Sequence, residues 1–139
     1  MSDVVIDLDA LVARARAARE RAYAPYSRFP VGAALVADDG SIHEGANVEN
    51  VSFGLTICAE RTAATAAVAS GVRRIEAIAV VGSGAGPTTL CGACRQFLYE
   101  FNPDMAVVSE ALDGSERKEW SLSELLPDAF GPPSLSRSP

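Results

Sequence analysis

Three cysteines, Cys58 and the pair in Cys91-Gly92-Ala93-Cys94, do most to narrow what this chain can fold into. Each group opens a segment of helical composition. Cys58 to Ser70 is rich in Ala and apolar residues, with Gly71 as a stop, and Cys91 to Phe101 runs into Pro103. Thiolates are anions, and helix N-termini offer partial positive charge and free N–H groups. Two helix ends can therefore converge on one metal, each lowering the pKa of its thiols. An odd number of cysteines argues against a disulfide framework and for metal binding or catalysis.

The remaining pattern alternates strands and helices. Leu8, Leu11, Val12, Ala15, Ala18 and Ala22 recur at helical spacing, which predicts a helix over roughly residues 8–23, capped by Asp7 and left at Pro25. Residues 31–37 read as a buried strand, Asp39-Gly40 as a tight turn and 42–46 as the returning strand. Asn47 to Thr56 reads as a loop. Further strands are expected at Ile75–Val81, at Met105–Ser109 and in a short charged run ending near Trp120. Ser121 and Glu124 form a capping-box pattern for a last short helix before Pro127. The Pro- and Ser-rich residues 131–139 are expected as a loose tail. A hairpin followed by alternating elements predicts an α/β domain, a mixed sheet flanked by helices, with one domain spanning 1–139.

Composition limits the function classes. No apolar run approaches the roughly 20 residues of a membrane span. The start, Met1-Ser2-Asp3, lacks a basic segment leading into an apolar one, so no secretory signal is read and a cytoplasmic protein is expected. The formal net charge is −6. The one dense basic stretch, Arg14, Arg16, Arg19 and Arg21, lies in a predicted helix with Glu20 and reads as a solvated face. A small-molecule substrate is expected, not a nucleic acid.

Ligand count separates structural from catalytic zinc. Structural sites usually take four protein ligands, and catalytic sites take three with a water in the fourth position. Zinc suits a thiolate donor set. The chain has three Cys and one His, and His43 sits in a predicted hairpin strand, far from two helix ends. The fourth position is therefore assigned to water. Taken alone, Cys58 also fits a small buried residue, and Cys91 with Cys94 a redox pair. Both readings lose force because Glu60 follows Cys58 by two residues. In a first turn, both side chains can wrap around the helix end, placing a carboxylate by the metal without ligating it. Three thiolates and a hydroxide would leave zinc at about −2 in total, a charge that needs compensation. Arg61, three residues after Cys58, can donate to the sulfurs.

The segments Tyr26-Ser27-Arg28-Phe29-Pro30-Val31-Gly32-Ala33-Ala34, Asn47-Val48-Glu49-Asn50, Cys58-Ala59-Glu60-Arg61-Thr62-Ala63 and Cys91-Gly92-Ala93-Cys94-Arg95-Gln96 together resemble the short homotetrameric cytidine deaminases. The resemblance runs from about Ala22 to Phe130. It implies a three-layer α/β/α fold with a five-stranded mixed sheet, and a homotetramer. It implies one zinc per chain on Cys58, Cys91 and Cys94, with Glu60 moving protons. It further implies that Phe29 lies against the base and that Asn47 and Glu49 take the ribose hydroxyls. Ala59 and Thr89 would contact substrate, the Thr89 carbonyl facing the leaving ammonia. Arg61 and Gln96 would support the thiolates, and Phe130 would stand near an active site, its own or a neighbour's. One position departs from the family pattern: Leu90 stands where proline is usual, which predicts a looser loop ahead of Cys91.

The reaction so implied is hydrolysis of cytidine and deoxycytidine to uridine and deoxyuridine with release of ammonia, a step of pyrimidine salvage. Two alternatives share the metal residues: a deaminase of an aminated-pyrimidine nucleoside antibiotic, and an inactive zinc-binding scaffold.

Overall fold

The computed structural model describes residues 4–135. Strand β1 (Gly32–Ala37) turns through Asp39-Gly40 and returns as β2 (Ile42–Ala46), antiparallel to it. Gly40 has φ +86, a left-handed conformation that favours glycine at this turn. On its other edge β1 pairs antiparallel with β3 (Ile75–Val81), which pairs parallel with β4 (Ala106–Glu110). Strand β5 (Arg117–Ser121) closes the sheet antiparallel to β4, giving the order β2-β1-β3-β4-β5. The parallel β3/β4 pair requires a crossover connection, and helix α3 (Gly92–Tyr99) lies on it.

Every residue of β1 is buried, because helices cover both faces of the sheet. Helix α1 (Leu8–Ala18) seals one face with Leu11, Val12 and Ala15 packed on Ala34, Ala77, Ala79 and Val108. Helices α2 (Ala59–Ala69) and α3 seal the other, with Ala63, Ala67, Cys94 and Leu98 against Leu35, Ile78, Val80 and Val107. The three-layer α/β/α arrangement with a five-stranded mixed sheet is the expected one. Small side chains let α2 approach closely. Gly45 on β2 completes the fit, since a Cβ there would lie 2.3 Å from the Ala63 nitrogen and 2.7 Å from the Ala59 carbonyl oxygen.

Some boundaries differ from expectation. The first helix stops at Ala18 and tightens into a 3₁₀ turn over Arg19–Arg21, where Ala22 N donates to the Arg19 carbonyl. The third helix ends at Tyr99, two residues before Phe101, and β4 runs one residue later than read. The capping box of α4 (Leu122–Leu125) is present, with Ser121 N donating to Glu124 Oε1 at 2.7 Å. The tail expected to be loose begins as a helical turn, α5 (Pro132–Leu135), with Gly131 buried against Tyr99; residues 136–139 lie outside the described residues. The arginines of α1 and the 3₁₀ turn are tied down rather than simply solvated. Arg14 and Arg21 both pair with Glu44 on β2, Arg16 with Glu110 on β4, and Arg19 donates to Ser83 Oγ at 2.8 Å. They fasten the first helical segment to β2, β4 and the loop after β3.

Candidate metal centre and active site

Cys58 is the N-cap of α2 and Cys91 the N-cap of α3, so the two helix starts do meet. The Cys58 Sγ lies 3.7 Å from the Cys91 Sγ, which lies 3.3 Å from the Cys94 Sγ. All three ligand atoms fall within 4.8 Å of one another. Zinc–sulfur bonds of ~2.3 Å in a tetrahedron set sulfurs about 3.8 Å apart, so the set fits one zinc ion. Cys91 Sγ also accepts from Cys94 N at 3.4 Å, a cap that turns the sulfur toward the helix start. Arg61 Nη2 donates to Cys58 Sγ at 3.5 Å. The Cys58 thiol is held down to about 5, first by its hydrogen bond with Cys94 and then by Arg61. Cys94 is pushed up, as the thiol that gives its hydrogen bond to Cys58 and as a buried group. His43 stays on β2, its Nε2 3.0 Å from Ser41 Oγ, and is no part of the cluster.

Glu60 occupies the first turn of α2 and is 4% exposed. Burial pushes its carboxyl up to about 7, and the charge on Cys58 adds to the shift. Such a group can both take and give a proton near neutral pH. It opens, with Cys58 and Cys91, into a cavity of about 300 Å³ that Phe29, Asn47, Ala59 and Thr89 also line. Phe29 packs on the loop after β3, its ring 3.2 Å from where a Cβ on Gly82 would stand.

Asn47 and Glu49 flank exposed Val48 on an extended segment, and both are buried, as residues two apart on one side should be. Asn47 Oδ1 accepts from Val31 N at 2.8 Å and its Nδ2 donates to the Phe29 carbonyl at 3.0 Å. Glu49 Oε1 accepts from Tyr26 N at 2.9 Å and Ser27 N at 3.1 Å, and Ser27 Oγ donates to Oε2. The Ser27 hydroxyl holds the carboxyl below the usual range. Glu49 faces an adjoining cavity of about 270 Å³, joined to the first through Ser27 and Thr56, which line both.

Two residues stand apart from the thiols. Gln96 Nε2 donates to the Phe130 carbonyl at 2.7 Å, so its amide braces the chain end and not the sulfurs. Phe130 is 58% exposed and lines a separate cavity with Gln96 and Leu135, outside this chain's own metal cavity. Leu90 is 2% exposed in the core, and Arg95 Nε holds its carbonyl at 2.9 Å while Nη1 reaches Leu125 O at 2.8 Å. Ser27, Thr56 and Thr88 line the cavity without having been singled out. Ser27 belongs to the segment Tyr26 to Ala34, whereas the two threonines sit in loops with no periodicity to mark them.

Three cysteine sulfurs at two helix starts, with a buried, protonatable carboxyl beside them, define a zinc-dependent hydrolytic enzyme. The chain belongs to the family described as the cytidine and deoxycytidylate deaminase zinc-binding region, whose model matches residues 6–110. It is 49% identical over 132 residues to a cytidine deaminase of Sporosarcina psychrophila, covering 94% of this chain and 96% of that protein. With a cytidine deaminase of Mycobacterium tuberculosis it shares 43% identity over 132 residues, covering 95% of this chain and 96% of that one. The crystal structure of cytidine deaminase from Burkholderia pseudomallei superposes with a TM-score of 0.86 at 51% identity, covering 90% of this chain and all of that one. The metal is zinc, and the Cys58, Cys91 and Cys94 group is able to bind one ion per chain.

Proposed function

We propose that this chain hydrolyses cytidine and deoxycytidine to uridine and deoxyuridine with release of ammonia, serving pyrimidine salvage in the cytoplasm. The observation that carries this reading is Glu60, a buried carboxyl poised at about 7 on the wall of a cavity that also presents two of three clustered thiols. Cys58, Cys91 and Cys94 hold the zinc. When bound, zinc supplies Lewis acidity that makes water nucleophilic near neutral pH. Glu60 takes the proton that the attacking water loses and delivers it to N3 of the cytosine ring. It then takes the second proton from the hydroxyl now on C4 and passes it to the departing amine, which leaves as ammonia. Arg61 offsets thiolate charge through Cys58. Phe29 lies against the base, Ala59 and Thr89 bound it from the metal side, and Asn47 and Glu49 take the sugar hydroxyls. Phe130, exposed on this chain, serves a neighbouring chain's site in a homotetramer.

The net charge of −6 and a cavity sized for one nucleoside favour a free nucleoside over a polynucleotide. An ammonia-release assay on cytidine, deoxycytidine and a cytosine-containing oligonucleotide tests the reading. Turnover of both nucleosides and none of the oligonucleotide is expected. Activity confined to the oligonucleotide, or absent from protein carrying one zinc per chain, rejects it.

A further inference from the structure

Ser27 stands between the two halves of the proposed substrate site. Its hydroxyl donates to Glu49 Oε2 and accepts from Phe29 N at 3.0 Å. The direction is fixed by chemistry, because an amide N–H can only donate and a carboxylate can only accept. The chain of bonds therefore runs from the Phe29 amide through the Ser27 hydroxyl to the Glu49 carboxylate. The Phe29 carbonyl is held from the other side by Asn47 Nδ2. Each residue proposed to read the sugar is thus fastened to the residue proposed to meet the base, Asn47 directly and Glu49 through Ser27.

We infer that Ser27 is a positioning residue for this reaction, fixing the Glu49 carboxylate and the Phe29 main chain in one register so that sugar recognition and base placement are coupled. The inference rests on the sugar-binding reading of Glu49. Two features favour it over ordinary loop bonding. Ser27 lines both adjoining cavities, the one with Glu60 and the one with Glu49. Beside it, Arg28 has φ +56, a left-handed conformation uncommon for a residue with a Cβ. The segment thus adopts a costly backbone at the point where Ser27 makes both bonds. With two N–H groups on Oε1 and one O–H on Oε2, the carboxylate retains about one of roughly four acceptor positions for a ligand hydroxyl. Loss of the Ser27 hydroxyl would free Oε2 to rotate away from that position.

The test is a double-mutant cycle on zinc-loaded protein, with cytidine as substrate: wild type, Ser27→Ala, Glu49→Gln and both together, with Ser27→Thr as the conservative variant. Ser27→Ala should lower kcat/KM about tenfold, the usual scale for a hydrogen bond to a charged group. Ser27→Thr keeps the hydroxyl and should regain most of that loss. In the Glu49→Gln background the hydroxyl faces an amide rather than a carboxylate, so adding Ser27→Ala should cost less than about threefold more. Fully additive losses, or Ser27→Thr as poor as Ser27→Ala, would overturn the positioning role while leaving the sugar reading of Glu49 intact. Unchanged kinetics in Glu49→Gln would instead refute the sugar reading, and the coupling with it.

Discussion

Glu60 is expensive to bury and is buried nonetheless. A carboxyl 4% exposed forfeits most of its hydration, and burial is what lifts it to about 7. Its neighbours in the first turn of α2 explain why the fold bears that cost. Cys58 precedes it as the N-cap, and Arg61 follows and donates to the Cys58 sulfur. In the proposed mechanism, removing the carboxyl takes away proton transfer but none of the three sulfurs. Glu60→Ala is therefore expected to keep its zinc and its melting temperature, or gain slightly in stability, while turnover of cytidine falls by several orders of magnitude. Elemental analysis, thermal melting and steady-state rates check this together. A variant that turns over within about tenfold of wild type would show that another group moves the protons.

At the scale of elements, the site depends on where α2 can sit. Gly45 lets the first turn of α2 lie on β2, and any side chain there meets backbone atoms that have no rotamer to change. Gly45→Ala is expected to cost about 1–3 kcal/mol, the range for overpacking, and to displace the helix that carries Cys58 and Glu60. Lower zinc content as well as lower melting temperature should follow; a variant with wild-type zinc and stability would show that the contact relaxes freely. Helix α1 is held by charge as well as by its buried apolar face. Arg16 and Arg117 hold the Glu110 carboxyl below its ordinary range. A carboxyl lowered in the folded state adds stability above its unfolded pKa, and that contribution is lost as pH falls through the folded value. Glu110→Gln should therefore melt below wild type at neutral pH, with the gap closing as pH drops below about 4. A gap that persists at low pH would assign the loss to packing. These two elements also mark what the sequence made legible. Cysteine spacing and the residues after Cys58 disclosed the metal centre, because ligand chemistry tolerates few substitutes and leaves a local signature. Strand β3 matches its sequence reading to the residue, because a strand buried on both faces is a near-continuous apolar run, here interrupted by half-buried Glu76. The ties of Arg14 and Arg21 to Glu44, of Gln96 to Phe130 and of Ser27 to Glu49 were not legible in the same way. Each such bond has at least one exposed or half-exposed polar partner whose type suits solvent equally well, and only the folded path brings the partners together.

Among the described residues, several large apolar side chains between Val48 and Ile57 stay open to water. Val51, Phe53 and Leu55 are 77%, 73% and 64% exposed, and Tyr26, Val48 and Ile57 extend the patch around them. Tyr26 and Phe53 pack edge to face at 5.8 Å, and Val48 pairs with Ile57 through a backbone bridge, so four of these residues meet in two pairs. Soluble chains seldom leave contiguous apolar surface of this kind open to water. The patch borders the cavity that holds Glu49, and Phe130 offers a second exposed aromatic on the same chain. Closed symmetric assembly would cover both and let Phe130 reach a site other than its own. Sedimentation equilibrium is expected to return the mass of four chains. Val51 and Leu55 line none of the described cavities, so charging them tests assembly without touching the site directly. The double variant Val51→Glu, Leu55→Glu places two carboxylates where neighbouring chains would bury them, and should dissociate the assembly to smaller species. If neighbours complete one another's sites, its activity should fall in step with dissociation while zinc stays at one per chain. A stable monomer with full activity, in wild type or in this variant, would show that each chain is sufficient alone and that the apolar surface serves some other contact.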